Sequence, residues 1–283
     1  MIENELQNLY FTLTDEEYKN TWEKYHARKY PEIFLLNGLP FHFDVDAKSI
    51  CVSFSGGADS AILTIMLCEL IKNLRLDTKI HVITMIRFNE TKPWLAKGAE
   101  ELYQHIKELY PNIISDQHWG FIPTELEPIK LSDVNNNTRL VDSLPIHATF
   151  DAYITAKFEE YILKKYKIDW SYSGITMNPP LDLPKAPKFR DKEFVKGETA
   201  RILQRVFVSP FALLNKNFTI AQYKNYNVEY LLSMTRSCEA DYLDLGQEYL
   251  HNNQMPPVCG KCFFCKERQW AIDNQDVYLK ENL

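Results

Sequence analysis

The apolar positions change their period along the chain, and each change marks an element. Residues 49–54 (SICVSF) form a short, β-branched apolar run that predicts a strand. Residues 59–74 are strongly apolar with a helical period. A second strand is predicted over 79–86, and an amphipathic helix opening at a proline over 93–110. Residues 112–119 read as a third strand, 145–166 as a long helix, and 169–173 as a fourth strand ending at Gly174. Alternation at these lengths predicts parallel βαβ units in an α/β fold, with helices on both faces of one sheet. Ligands in such folds sit beyond the carboxyl ends of the strands.

Two segments flank this rhythm. Residues 15–30 read as a polar surface helix, and IFLLN, Gly38-Leu39, PFHFDV as a short hairpin. After Gly174 the stretch TMNPPLDLPKAPKF holds four prolines and predicts a long loop. Residues 185–205 carry seven Lys/Arg against three Asp/Glu. A flexible loop this cationic is expected to close over a polyanion and exclude water. Its alternative is a solvated connector. The expected organisation is an addition over 1–48, a nucleotide-binding domain over 49–205 and a cysteine-bearing subdomain over 206–283.

Composition narrows the class. Lys and Arg number 32 against 38 Asp and Glu, a net charge of −6. A phosphate-tracking face normally needs a basic excess, so direct nucleic-acid binding is not expected. No apolar run is long enough to span a bilayer. The N-terminal MIENELQNLYF lacks a basic start and an apolar core, so no secretory leader and a cytoplasmic location are expected.

The sharpest motif is Ser55-Gly56-Gly57-Ala58-Asp59-Ser60, placed between a predicted strand and a predicted helix. Paired glycines let the backbone turn tightly and bring N–H groups to an anion. The helix N-terminus adds the positive end of its dipole. Ser55 and Ser60 add hydroxyls. Asp59 suits such a site only as a helix cap or as a Mg²⁺ ligand. A plain capped turn is the bland alternative, but it does not call for the flanking serines. GxxxxGK[ST] and GxGxxG are both absent.

The loop resembles the PP-loop of the ATP pyrophosphatase superfamily, SGGxDS after the first strand. The resemblance implies cleavage of ATP between the α and β phosphates. Ser55, Gly56, Gly57, Asp59 and Ser60 would hold the leaving diphosphate.

Of six cysteines, Cys51 and Cys68 lie alone in apolar surroundings, and four crowd the C-terminal end. Cys259, Cys262 and Cys265 follow C-x2-C-x2-C spacing, and Cys238 upstream completes four thiols. Disulfide frameworks suit small secreted domains, so a metal is the better reading. A closed, structural Zn²⁺ site is expected. An iron–sulfur cluster is the rival, because bacterial ferredoxins share the spacing. Reduced thiols without metal are the third possibility.

Loop and cysteines together resemble the 7-cyano-7-deazaguanine synthase family. The matching residues are Thr235-Arg236-Ser237-Cys238 for its T-x-S-C, then Cys259-Gly260-Lys261-Cys262, Cys265 and Arg268. Ser209-Pro210-Phe211 with Lys216 resembles its proline-plus-lysine element. The family implies an adenine nucleotide alpha hydrolase-like fold, ATP, Mg²⁺ and Zn²⁺, and often a homodimer. It implies adenylation of 7-carboxy-7-deazaguanine, displacement of AMP by ammonia to give an amide, and a second ATP to form the nitrile. Asp59, Ser60 and Lys216 would then be the catalytic set, Lys216 neutralising phosphate charge. Arg268 would belong to the late motif or be a C-terminal helix residue facing solvent.

The departures fall on the acceptor side. P-G-R-N is replaced by Pro145-Ile146-His147-Ala148, Y-G-Q by Arg87-Phe88-Asn89, and the substrate loop by a stretch ending Phe189-Arg190-Asp191. Arg87, His147 and Arg190 are the candidate substrate contacts. The ATP side is intact, so conjugation of the deazaguanine to a protein amine in antiphage defence is a second reading. A tRNA-modifying PP-loop activity and a non-catalytic nucleotide-binding module are further alternatives. No catalytic-cysteine glutaminase is evident, so ammonia would come from elsewhere.

Overall fold

A computed structural model describes residues 31–36, 39–87, 94–122, 150–183, 190, 201–203, 207–240 and 255–276. The helix expected over 15–30 lies outside them, as does His147.

β3 (Ser49–Ser53) and β4 (Lys79–Arg87) are joined through α1 (Ala58–Leu74), and β4 and β5 (Ile114–Ile122) through α2 (Leu95–Leu109). α3 (Phe150–Lys165) precedes β6 (Trp170–Ser173), and the sheet gains β7 (Arg201–Leu203) and β8 (Phe207–Ser209). The strand order is β5-β4-β3-β6-β8-β7. All neighbours pair parallel except β7 with β8, which is antiparallel. The chain builds outward from β3 to β5, then returns to place β6 on the other side of β3. That reversal between β3 and β6 is the position at which open α/β sheets bind ligands.

The alternation of β3 sorts its side chains between two layers. Ile50 and Val52 join the main core with α1, while Cys51 packs with Ile83 and with Phe158 and Ile162 of α3. α1 is buried along most of its length, which explains its apolarity all round. α2 buries only Leu95, Gly98, Ala99, Leu102, Tyr103 and Ile106, one helical stripe.

β1 (Glu32–Leu36) and β2 (Leu39–Phe43) form the antiparallel hairpin that the sequence predicts. Phe41 and Phe43 stack on Tyr172 at 6.4 Å between ring centroids, and Trp170 Nε1 donates to Asp44 at 2.7 Å. The hairpin thus shares the main core.

The C-terminal part adds α4 (Lys216–Asn225), α5 (Glu229–Met234) and α6 (Phe263–Asp273), three helices that the sequence pattern did not announce. α4 buries Phe218, Ile220, Ala221 and Tyr223, and Tyr223 donates its hydroxyl to Ala58 O at 2.7 Å. α6 packs against α4. No helix among the described residues is long and apolar enough to cross a membrane.

Candidate functional site

A cavity of about 320 Å³ opens at the carboxyl ends of β3 and β6, whose last residues Ser53 and Ser173 line it. Ser55, Gly57, Asp59 and Ser60 form part of its wall. Gly56 has φ of +69°, and an added Cβ would stand 3.1 Å from the Ala99 backbone. Both facts call for glycine at the turn. The Ser55 N–H donates to Ser60 Oγ at 3.3 Å, and Ser60 Oγ donates to Gly57 O at 3.1 Å. These bonds hold the loop folded across the start of α1. The opening N–H groups of such a helix have no partner within it.

Asp59 is not the helix cap considered above. Gly57 occupies the N-cap, in extended conformation, and Asp59 sits in the first turn. Its carboxylate pairs with Lys216 Nζ and accepts from Thr219 Oγ1 at 2.6 Å. Thr219 lies three residues after Lys216 on α4, on the same face of the helix.

Lys216 is 3 % exposed, so it is no surface lysine. It also approaches Glu267 Oε2 at 3.6 Å, and Glu267 Oε1 pairs with Arg190. Glu267 lies on α6 and is fully buried. A chain of alternating charge therefore runs Asp59, Lys216, Glu267, Arg190; all but Glu267 line the cavity, and Glu267 lies buried behind them. Buried charges persist in a protein when paired in this way.

Arg190 comes from the cationic 185–205 stretch expected to form a lid. Its Nε donates to Thr176 O at 2.6 Å, and its Nη2 donates to Thr176 Oγ1 at 2.7 Å and Met177 O at 2.9 Å. It is anchored rather than swinging free. Arg201–Leu203 of the same stretch is strand β7; the remainder, apart from Arg190, lies outside the described residues. Arg87 ends β4 beside Ile122 of β5.

Gly174 fixes the opposite wall. A Cβ there would stand 2.8 Å from the carbonyl of Asp59 and 2.9 Å from Ser60 N. The bare backbone lets the end of β6 meet the start of α1.

The late motif docks on the same loop. The Arg236 N–H donates to Gly56 O at 2.9 Å, and Arg236 and Ser237 line the cavity. Arg268 does not point to solvent. It donates to Thr235 Oγ1 at 2.7 Å and Leu232 O at 2.6 Å, tying α6 to the residues before Cys238.

The ligand atoms of Cys238, Cys259, Cys262 and Cys265 all lie within 4.8 Å of one another. Gly260, at φ +69°, turns the chain between the first two cysteines of the run. The Cys259 and Cys262 N–H groups donate to Cys238 and Cys259 sulfur at 3.4 and 3.3 Å. Hydrogen bonds with Cys238 and Cys265 hold the Cys262 thiol far below its usual range, and those with Cys238 and Cys262 push Cys265 far above it. Thiols this close compete for protons, and a cation relieves that competition. The four can hold a metal. Trp94, which precedes α2, packs against the cluster.

Glu267, Thr219, Gly174 and Arg236 are the site residues that sequence reading missed as individual contributors. Only Thr219 had a usable signal, its spacing from Lys216.

No protein-family model and no curated protein matches the chain. Among solved structures it is similar to the U34-tRNA thiolase NcsA from Methanococcus maripaludis with its 4Fe-4S cluster. The identity is 14% and the TM-score 0.38, over 94% of this chain and 74% of that one.

Proposed function

We propose that the chain is an AMP-forming, ATP-dependent carbon–nitrogen ligase acting on a deazaguanine carboxylate, with 7-carboxy-7-deazaguanine as the substrate. The observation that carries this is the SGGxDS loop at the β3/β6 reversal, with Asp59 held by a buried Lys216. The substrate class rests on the loop occurring together with the late cysteine motif.

The reaction balances in two steps. A carboxylate oxygen attacks the α-phosphorus of ATP, and the bond to the β-phosphate bridge breaks to release diphosphate. A nitrogen nucleophile then attacks the acyl carbon, loses a proton and expels AMP. A second ATP would take an amide on to the nitrile.

Lys216 stands where it can transfer its charge from Asp59 to a phosphate oxygen. Asp59, released from that pair, is the residue that would hold Mg²⁺, which neutralises phosphate charge when bound. Ile83, Met85, Leu95 and Phe264 supply an apolar side to the cavity, suited to a flat base.

Four thiols closing on one point support Zn²⁺ at the cysteine site. Tetrahedral Zn–S bonds of about 2.3 Å place sulfurs about 3.8 Å apart. Cys259 and Cys265 sulfurs stand at 3.9 Å.

One observation favours a protein amine as the acceptor. The family's substrate loop is replaced here by the segment that ends in Arg190, whose Nε and Nη2 are taken up by internal acceptors. The acceptor side is therefore built differently from that family's pattern.

The test is a product assay with ATP, Mg²⁺ and 7-carboxy-7-deazaguanine, with and without ammonium, read by mass spectrometry. Amide or nitrile appearing only with ammonium supports ammonia as acceptor. AMP with an adenylated base and no amide points to a protein amine. Absence of diphosphate, AMP and adenylated base under every condition overturns the ligase reading.

A further inference from the structure

We infer that Arg236 is an anion-binding residue of this site, placed to grip the β- and γ-phosphates of the nucleotide as they become the leaving diphosphate. The inference deepens the proposed ATP-dependent reading and rests on it for the identity of the anion. The resemblance does not supply it, because Arg236 occupies the variable position of T-x-S-C.

The Arg236 Nε and Nη2 are buried and have no hydrogen-bond partner among the described residues. Buried donors left unmade carry a desolvation cost, and a guanidinium more than a neutral group. The other cations at the cavity differ. Lys216 lies between Asp59 and Glu267, and Arg190 bonds Thr176, Met177 and Glu267. Arg268, behind them, bonds Thr235 and Leu232. No carboxylate is paired with Arg236 among the described residues.

Its position selects the ligand. The Arg236 backbone is bonded to Gly56 O, so the side chain starts from the phosphate loop itself. The guanidinium lies over the Trp94 ring, 4.7 Å from its centroid. Trp94 is buried against the cysteine cluster, so the stacking platform is fixed. A stacked guanidinium keeps a planar edge for two parallel N–H···O bonds, which matches two phosphate oxygens. A carboxylate would satisfy the same edge. Anchorage at Gly56 places that edge with the loop rather than with the base, and so favours phosphate.

The experiment measures Kd for ATP, AMP, inorganic diphosphate and 7-carboxy-7-deazaguanine, with Mg²⁺, by calorimetry on the wild type, Arg236→Gln and Arg236→Lys, and AMP formation by the same three proteins. Arg236→Gln should weaken ATP and diphosphate by about 10–100-fold, the range for losing charge-assisted hydrogen bonds. AMP affinity should change less than about 2-fold, and Arg236→Lys should restore part of the diphosphate affinity. Thermal unfolding of Arg236→Gln should match or exceed that of the wild type, since an unpaired buried charge is removed.

Unchanged diphosphate affinity in Arg236→Gln overturns the inference, as does an equal loss of AMP and diphosphate binding. A loss confined to the carboxylate substrate assigns the edge to the acyl group and also overturns it. Diphosphate binding that depends on Arg236, without AMP formation from any substrate, retains the inference and removes the ligase reading. AMP formation that survives Arg236→Gln undiminished does the reverse. A wild type that binds none of the three phosphate ligands overturns both.

Discussion

Lys216 and Glu267 meet at 3.6 Å in the protein interior, although one opens α4 and the other lies on α6, the helix that carries Cys265. Through this contact the cysteine-bearing segment supports Lys216, which lines the cavity. Glu267 balances Lys216 and Arg190 at once, so its loss would leave two buried cations facing Asp59 alone. Glu267→Ala should cost about 3–5 kcal/mol, the range for breaking a buried ion pair. Denaturant titration against the wild type measures it. A change below about 1 kcal/mol would show that the network is not a structural element.

Asp59→Asn and Ser60→Ala change the phosphate loop without removing bulk. Both should lower AMP formation by about 10²-fold or more, in line with loss of a preorganised charge or donor. Far-UV circular dichroism should remain that of the wild type. Full activity in both variants would remove the loop from the catalytic assignment.

Gly174→Ala drives a Cβ into the Asp59 carbonyl at 2.8 Å. The start of α1 must shift to admit it. A stability loss of about 1–3 kcal/mol is expected, as for overpacked cores. A wild-type melting temperature would mean that the two segments can separate at no cost.

The cysteine cluster should bind about one metal ion per chain if four thiolates close one tetrahedral site. Cys262→Ser should abolish it. Because Cys262 is the N-cap of α6, which carries both Phe264 and Glu267, nucleotide affinity should fall together with the metal. Elemental analysis with labile-sulfide assay checks the metal. Iron and sulfide in place of zinc would overturn the zinc assignment.

His81 and His118 form a buried pair with ring nitrogens 2.9 Å apart, stacked near Tyr166. Burial holds His81 below its ordinary value, partly offset by Asp116. Burial, then His81 and Lys165, hold His118 at about 4, against the opposing pull of Asp116. The folded pair stays neutral where the unfolded chain takes up protons. Stability should therefore be fully present above about pH 7 and decline as pH falls from 6.5 towards 4. His118→Gln should flatten that decline in denaturant titrations at stepped pH. An unaltered slope would place the acid sensitivity elsewhere.

The sequence by itself determined what is local. The β3–loop–α1 unit was legible because residues 49–74 are contiguous and their chemistry, an apolar strand, paired glycines and an apolar helix, needs no distant partner. The thiol run was legible for the same reason. Parallel order followed from the alternation of strands and helices. α4 was not legible, because Lys216, Thr219 and Gln222 are polar yet buried. Their partners lie across the fold, and an internal ion pair erases the hydrophobic period that would otherwise reveal a helix. Lys216 meets Asp59 over a separation of 157 residues, and Arg190 meets Glu267 over 77. Only the tertiary structure decides such pairs. Burial makes an unpaired charge costly, so which charges can lie inside depends on what the whole chain brings beside them.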